Sequence, residues 1–182
     1  HTLFYHSTLG SIEKKPTIDV CYRTVVWRPH GFDVIPKGLP LFPYAAWSAF
    51  HVFHVFHNRG YFLFLIYHED DMVHRSCVIP GFYRYPFMQK NDVQVGYVWT
   101  REDHRGKGLA EFALKTIVSE YVPTGSGVWY LTYKDNFQSI RVAEKAGFSL
   151  VGTGMRTRPL GLYVAGRFVL SGPESGRSTR CE

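Results

Sequence analysis

The segment Thr100–Ala110, TREDHRGKGLA, is the most informative stretch of this 182-residue chain. It follows residues 93–100, whose composition is typical of a β-strand, and it precedes apolar residues at helical spacing from Leu109 to Tyr121. A strand-to-helix turn is therefore predicted. The N-terminus of the helix that follows it has unpaired N–H groups and a partial positive charge. Its glycines allow close approach to a phosphate. The turn residues are Arg105, Gly106, Lys107 and Gly108.

A second informative segment is Asn136–Phe148, NFQSIRVAEKAGF, one predicted helix and one predicted strand later. Asn136 is a good helix N-cap, and Gly147 is a good helix stop. Together the two segments resemble the signatures of the GNAT acetyltransferases. Those signatures are an [Arg/Gln]-x-x-Gly-x-[Gly/Ala] loop and an Asn-x-x-Ser/Ala segment that ends in Gly-Phe. The resemblance covers residues 92–170, whereas the first 90 residues share only the order of elements.

This resemblance implies acetyl-CoA as cosubstrate, with its pyrophosphate on the loop that starts at Arg105. It implies that the pantetheine arm pairs with the strand around Tyr97–Thr100 and that Asn136 hydrogen-bonds the same arm. A backbone N–H of that strand is then expected to stabilise the oxyanion. The expected cofactor-binding residues are Tyr97, Val98, Trp99, Thr100, Arg105, Gly106, Lys107, Gly108, Leu109, Ala110, Asn136 and Ser139.

Proton transfer requires a general base, acting directly or through water, because the attacking amine must lose a proton. Many members of the family carry a glutamate on the strand before the loop. Here the corresponding region holds Asp92 and Gln94. Asp92 is the first candidate base, and His74, whose pKa range suits neutral pH, is the second.

A general acid for the leaving thiolate is often a tyrosine on the second signature helix. Ala143 occupies that position here, so the sequence departs from the family pattern. Ser139 and Tyr133 are the two candidate donors. A cysteine nucleophile is not expected, because no cysteine lies beside a base motif.

Composition and charge limit the classes of protein to which this chain can belong. The chain is 45% hydrophobic, which is enough for a core and excludes a disordered chain. The net charge of +6 favours an anionic partner, but no basic run or RNP-type pattern indicates nucleic acid. No apolar run is long enough for a membrane helix, and residues 1–10 lack the pattern of a signal peptide.

Neither the cysteines nor the histidines predict a metal site. The cysteines have no metal-ligand spacing and indicate reduced thiols in a cytoplasmic protein. Three histidines recur at every third position of a predicted helix, but no acidic ligand completes a set. These residues are Cys21, Cys77, Cys181, His51, His54 and His57. A homodimer is compatible with the sequence.

The predicted fold is α/β, one GNAT domain over residues 1–170 with a flexible tail at 171–182. The sheet is expected to be mixed, mostly antiparallel, flanked by helices and splayed between its fourth and fifth strands, with about six or seven strands in all. No helix or strand is predicted for residues 1–10. Strands are predicted at 20–28, 61–67, 72–79, 93–100 and 128–133, helices at 45–58, 109–121 and 136–146, and a final hairpin at 148–156 and 162–170.

The acceptor amine is left open. A small molecule, such as an amino sugar or a nucleotide-linked sugar, fits the aromatic N-terminal half, because aromatic faces stack on sugars and bases. The segment 74–100 is also similar to acetyltransferases of bacterial polysaccharide pathways. Ser139 and Ala143 instead resemble the ribosomal-protein acetyltransferases, and a non-catalytic acyl-CoA-binding module is the third alternative. The aromatic and histidine residues concerned are Trp47, His51, His54, Tyr83, Tyr85 and Phe87.

Overall fold

The computed structural model describes residues 2–8, 17–29, 36, 38–39, 41–157 and 166–172. Strands and helices are numbered in chain order. The strands are β1 (Thr2–Thr8), β2 (Tyr22–Trp27), β3 (Phe62–His68), β4 (Asp71–Pro80), β5 (Val93–Thr100), β6 (Gly127–Tyr133), β7 (Ser149–Arg156) and β8 (Phe168–Ser171). The helices are α1 (Leu41–Val52), α2 (Leu109–Thr116) and α3 (Phe137–Lys145).

All of these strands belong to one eight-stranded sheet in the order β2-β3-β4-β5-β6-β1-β7-β8. Neighbouring strands are antiparallel. The exception is the pair β5 and β6, which runs parallel and is joined only from Val93 to Val95. The predicted mixed α/β sheet is therefore confirmed, including the splay between the fourth and fifth predicted strands, which are β5 and β6.

Strand β1 is the element that the sequence analysis missed, and it raises the strand number to eight. Thr2–Thr8 lies between β6 and β7 and pairs with both of them. Leu3 and Tyr5 pack on one side of the sheet, while Phe4 belongs to the core on the other side. Both partner strands lie far away in the sequence, so no local hairpin signal accompanies this short stretch.

Two apolar cores cover the two faces of the sheet. One contains Phe62, Phe64 and Ile66 of β3 together with residues of α2 and α3, and we call it the α2–α3 side. The other contains Leu63 and Leu65 together with residues of α1, and we call it the α1 side. Because β3 is buried on both faces, its sequence is continuously apolar rather than alternating.

Helix α1 covers Leu41–Val52, so the predicted span 45–58 was wrong at both ends. The helix ends where His54 adopts a left-handed conformation with φ 58°. The Val55 N–H donates to the Phe50 carbonyl at 2.9 Å, which closes the last turn. This is the Schellman arrangement, and a non-glycine residue supplies it here, so the sequence carried no glycine to mark the end.

The other two helices follow the predicted pattern more closely. Helix α2 continues as a wider π-helical turn, Ile117–Tyr121, before Pro123. Asn136 caps α3 by accepting from the Ser139 N–H, and Gly147 follows its end with φ 85°. The final hairpin is formed by β7 and β8. Its predicted turn, Pro159–Gly161, and most of the predicted tail lie outside the described residues. Within the described part of the chain, no helix is long and apolar enough to cross a membrane.

Candidate functional site

The separation of β5 from β6 creates the candidate site. The last paired residues are Val95 and Tyr130. Beyond them, Tyr97 has φ 51°, and the register with β4 shifts between Arg75 and Cys77. A bulge of this kind bends a strand and locally disrupts its pairing. One backbone edge of residues 96–100 therefore faces the space left by β6 rather than another strand.

A cleft of about 510 Å³ fills this space between β5, the start of α2 and the start of α3. The predicted cofactor-binding residues line it, except Tyr97 and Lys107. Lys107 instead borders a hollow of about 860 Å³ between β2 and α2, which reaches neither Asn136 nor residues 98–100. The smaller cleft is thus the one that brings the two sequence signatures together, and we take it as the candidate site.

The glycines of the loop are required by backbone conformation and not by space. Gly106 has φ 76° and Gly108 has φ 77°, while a Cβ added at either would meet nothing within 4 Å. Gly108 caps α2 without any side-chain hydrogen bond, and its carbonyl accepts from the Phe112 N–H at 2.9 Å. The first amides of α2 are therefore presented to the cleft without a side-chain cap, which suits an anion.

The segment before the loop is held by a buried histidine that the sequence analysis did not select. His104 is 5% exposed, and its Nδ1 lies 2.9 Å from the Tyr22 hydroxyl. Arg101 donates to its Nε2 at 3.0 Å, so Nδ1 carries the proton and donates to Tyr22. Arg101 also pairs with Asp71 and Asp103. These contacts tie the loop to β2 and β4.

The α3 side of the cleft contains Asn136, Ser139 and Tyr130. The Oδ1 atom of Asn136 accepts from the Ser139 N–H at 3.1 Å, which leaves the side-chain NH2 group of Asn136 to donate to a ligand. Burial raises the pKa of Tyr130, and a hydrogen bond with Ser139 partly opposes this. Tyr130 was missed, because its place in the cleft depends on the β5–β6 register. Tyr133, the other predicted acid, does not line this cleft and is 65% exposed.

Ala143 takes the position of the family's tyrosine and is fully buried, with 0% exposure. It packs in the core of the α2–α3 side with Tyr130 and Phe148. This position supplies no donor to the cleft. The hydroxyl groups that line the cleft near β5 belong instead to Thr100, Tyr130 and Ser139.

Asp92, the first candidate base, is 4% exposed and fully engaged in hydrogen bonds. Its Oδ1 accepts from the Gly127 N–H at 2.8 Å. Its Oδ2 accepts from Trp129 Nε1 and from the Gln89 N–H, each at 2.9 Å. The carboxylate therefore joins the starts of β5 and β6, at the end of these strands that lies away from the splayed segment.

His74, the second candidate base, is completely buried. Its Nδ1 lies 2.8 Å from the Thr100 hydroxyl and its Nε2 lies 2.9 Å from the Ser76 hydroxyl. Burial, reinforced by the charge of Arg75, lowers the pKa of His74 to about 3. The imidazole is therefore neutral near pH 7 and is a weak base, which differs from the ordinary histidine that the sequence suggested.

The buried His74 should make stability depend on pH. Because its pKa is lowered to about 3 in the folded state, its contribution is complete above the unfolded pKa and is lost as pH falls. Between pH 6.5 and 5, the wild type should lose roughly 1.5 kcal/mol more unfolding free energy than His74→Gln. Urea unfolding of both proteins at the two pH values measures this difference. Equal losses would show that His74 is not held neutral.

The α1 side of β5 is strongly aromatic. The Tyr97 ring lies 6.3 Å from that of Tyr44 and 6.1 Å from that of Trp47. Tyr85 is stacked on Phe168 at 5.4 Å. Of the side chains that the sequence analysis placed at the acceptor, Tyr83 is exposed and Phe87 packs on Trp129 at 4.9 Å. The His54 side chain is hydrogen-bonded to the backbone, with its Nδ1 atom 2.8 Å from the Val52 carbonyl oxygen.

The described residues contain no group of three or more His, Cys, Asp or Glu side chains that could hold a metal ion. Cys21 is exposed and Cys77 is buried, and both are free thiols. Burial raises the pKa of Cys77, so this thiol stays protonated near pH 7.

Comparison with known proteins gives a family match and several similar folds. Residues 21–149 match the family described as "Acetyltransferase (GNAT) domain". No curated protein matches the chain. Similar solved structures include a tandem GNAT protein from the clavulanic acid biosynthesis pathway, at 17% identity and TM-score 0.56, covering 82% of this chain and 50% of that one. A GNAT-family acetyltransferase from Colwellia psychrerythraea has 17% identity and TM-score 0.50, covering 82% and 52%.

A putative GNAT acetyltransferase from Novosphingobium aromaticivorans is also similar, at 14% identity and TM-score 0.47, covering 82% of this chain and 59% of that one. The chain thus spans between half and three fifths of the length of these three structures. At these identities, the structural likeness shows the fold alone.

Proposed function

This chain belongs to the GNAT acetyltransferases, and we propose that it transfers the acetyl group of acetyl-CoA to a primary amine that attacks the thioester directly. One observation carries the proposal. A splayed strand edge, an uncapped helix start with two glycines, and the amide of Asn136 meet in one cleft of about 510 Å³. These are the groups that a pyrophosphate, an extended amide-containing arm and a thioester oxygen require.

Each end of the cleft has its own task in the proposed reaction. The amides at the start of α2 bind the pyrophosphate, with Arg105 adding charge from the wall of the cleft and Lys107 adding it from the neighbouring hollow, which shares Gly108 with the cleft. The open edge of residues 96–100 hydrogen-bonds the pantetheine arm, and a backbone N–H there stabilises the oxyanion that forms when the amine attacks. Holding both reactants in this geometry supplies much of the rate.

Protonation of the leaving thiolate is best assigned to the Ser139–Tyr130 pair. Both side chains line the cleft, and Tyr130 lies at the fork where β5 and β6 separate. Ser139 was one of the two sequence candidates. Tyr133 is the weaker of them because it lies outside the cleft.

For the proton of the amine, we propose transfer to water. The side chains that interact with Tyr97 on the acceptor side include Tyr44, Trp47, Cys77, Arg84 and Tyr133. No carboxylate or imidazole is among these neighbours. The positions of the two sequence candidates support a water route. Asp92 holds two strands together, and the buried His74 is paired with Ile66, which faces the α2–α3 side of the sheet.

We propose a small-molecule acceptor, such as an amino sugar or a nucleotide-linked sugar. The support is the aromatic lining of the α1 side, because ring faces stack on sugars and bases. The identity of Ser139 and Ala143 supports the alternative of a protein N-terminal acetyltransferase. A cytoplasmic location and a homodimer stay predictions from the sequence.

The proposed reaction is tested by incubating the protein with acetyl-CoA and separate panels of amino sugars and peptides, while free thiol is measured. Thiol release with amino sugars is expected. Turnover with peptides alone would replace the small-molecule acceptor with a protein N-terminus. Tight CoA binding without turnover would indicate a binding module.

The basic residues of the loop give a second test. The double variant Arg105→Ala/Lys107→Ala should raise the Michaelis constant for acetyl-CoA by roughly tenfold, because two exposed charges near a pyrophosphate each contribute about 0.5–1 kcal/mol. The double variant Arg23→Ala/Lys90→Ala removes the same charge from exposed positions outside the cleft. Equal Michaelis constants for these two double variants would reject the loop as the pyrophosphate site.

A further inference from the structure

Two arginines face the α1 side of the splayed strand, where the proposed acceptor would approach. Arg75 lies on β4 opposite Trp99, and its guanidinium carbon is 4.6 Å from the Trp99 ring and 5.9 Å from the Tyr44 ring. Arg84 lies in the segment between β4 and β5, with its guanidinium carbon 5.4 Å from the Phe82 ring. Both side chains are partly buried among aromatic rings.

Each guanidinium group is linked to Tyr97 through aromatic rings. Tyr44, which contacts Arg75, has its ring 6.3 Å from that of Tyr97. Phe82, which contacts Arg84, has its ring 5.8 Å from that of Trp47, and the Trp47 ring lies 6.1 Å from that of Tyr97. Tyr97 is the bulged residue of β5, and the thioester would lie beside it. The two cations therefore lie among the aromatic rings that surround the place where the acceptor must sit.

Neither guanidinium is neutralised by a carboxylate of the described residues. The ion pairs of the described residues involve Arg101, His104, Arg105 and Lys115, and not Arg75 or Arg84. The nearest acidic residue along β5, Asp92, already accepts from Gly127, Trp129 and Gln89. The α1 side thus contains two positive charges without a carboxylate partner in the described chain.

Each of these arginines also has a buried donor that no described residue accepts from. The Nε atoms of Arg75 and Arg84 are inaccessible to solvent and have no hydrogen-bond partner among the residues that the structure describes. Buried polar atoms in native proteins are nearly always paired, and a charged donor without a partner is costly. A guanidinium is a planar fork that matches a carboxylate or a phosphate. The missing partners are therefore best supplied by an anionic ligand.

We propose that the acceptor carries an anionic group, a carboxylate or a phosphate, and that Arg75 and Arg84 bind it on the α1 side while the amine reaches the thioester at Tyr97. The proposal rests on the proposed acetyltransfer and specifies its substrate class. The aromatic rings of Tyr44, Trp99 and Phe82 hold the two guanidinium groups in place, and they exclude water from the charge pair.

The test uses matched acceptors that differ by one anionic group. Glucosamine 6-phosphate is compared with glucosamine, and serine is compared with serinamide, at saturating acetyl-CoA. The anionic member of at least one pair should have a kcat/KM higher by roughly 10- to 100-fold, since hydrogen bonds to a charged group contribute strongly. The pair that shows the preference tells a phosphate from a carboxylate.

Variants assign the preference to the arginines. Arg75→Gln and Arg84→Gln should each reduce the ratio of the two kcat/KM values about tenfold or more. Arg23→Gln removes one exposed charge from β2, at the edge of the sheet, and should leave the ratio unchanged. Because the ratio is measured within one protein, partial unfolding of a variant does not alter it. Equal turnover of both members, or ratios unchanged in both arginine variants, would overturn the proposal.

If acetyl-CoA binds but no acceptor is acetylated, the arginine site is tested by the shift in melting temperature of the CoA complex on addition of each of the same four compounds. A larger shift with the anionic members, lost in Arg75→Gln and Arg84→Gln, would support the site, and equal shifts would overturn it. The two hypotheses fail separately. Absence of acetyl-CoA binding refutes the proposed acetyltransfer, whereas a missing anion preference with acetyl-CoA bound refutes only the arginine site.

Discussion

Alanine at both Gly106 and Gly108 is expected to raise the Michaelis constant for acetyl-CoA by roughly 100-fold. Both residues have left-handed φ angles, 76° and 77°, which cost an L-residue about 1–2 kcal/mol each. Without ligand, the substituted loop can relax to negative φ and turn its amides away from the cleft. Binding then requires the strained conformation again, and about 2–4 kcal/mol corresponds to roughly a 30- to 1,000-fold change.

Gly125 provides a matched control for this backbone effect. It has φ 85°, a Cβ added there would also meet nothing within 4 Å, and it lies in the turn before β6, outside the cleft. Gly125→Ala should lower the melting temperature by roughly 2–8 °C through the same strain, without a change in the Michaelis constant. A normal Michaelis constant in the Gly106→Ala/Gly108→Ala protein would mean that the loop amides do not bind the pyrophosphate.

Asp92→Asn is expected to be a strongly destabilising change rather than a change in the proton-transfer step. Each carboxylate oxygen accepts from at least one N–H donor, and the Asp92 side chain is 4% exposed. Whichever carboxylate oxygen is replaced by the NH2 group of asparagine, that NH2 donor then faces an N–H donor. The loss should be about 3 kcal/mol of unfolding free energy, or roughly 6–12 °C in melting temperature.

Asp70→Asn is the control, because Asp70 is exposed in the turn between β3 and β4. It should leave the melting temperature within about 1 °C of the wild type. The pH dependence of kcat/KM separates the two roles of Asp92. A structural carboxylate leaves the shape of the profile unchanged, whereas loss of the acidic limb at unchanged stability would restore Asp92 as the general base.

The features that could be predicted from the sequence are those whose cause is local. The two glycines at the start of α2, the N-cap Asn136 and the C-terminal Gly147 each act within a few residues of their own position. Their spacing is therefore sufficient to predict the glycine loop and the second signature without any tertiary contact. The end of α1 was misplaced because His54 takes the left-handed position that a glycine usually marks.

The sequence placed His74 on the correct strand and Asp92 directly before β5, but it did not determine their partners. Whether a carboxylate accepts three hydrogen bonds or receives a proton depends on what the neighbouring strand presents, here Gly127 and Trp129. The lowered pKa of His74, about 3, follows from complete burial, which is a property of the packed sheet. Tyr130 enters the cleft only through its register with Val95.

By itself, the sequence determined the alternating elements, the glycine loop before α2 and the helix caps, because dihedral preferences and hydrophobic periodicity act over a few residues. Only the tertiary structure decided that β1 fills the space between β6 and β7, and that Arg75 and Arg84 lie against aromatic rings of the α1 side. Strand pairing and burial join residues that are distant in the chain. Their electrostatic consequences appear once water has been removed from between them.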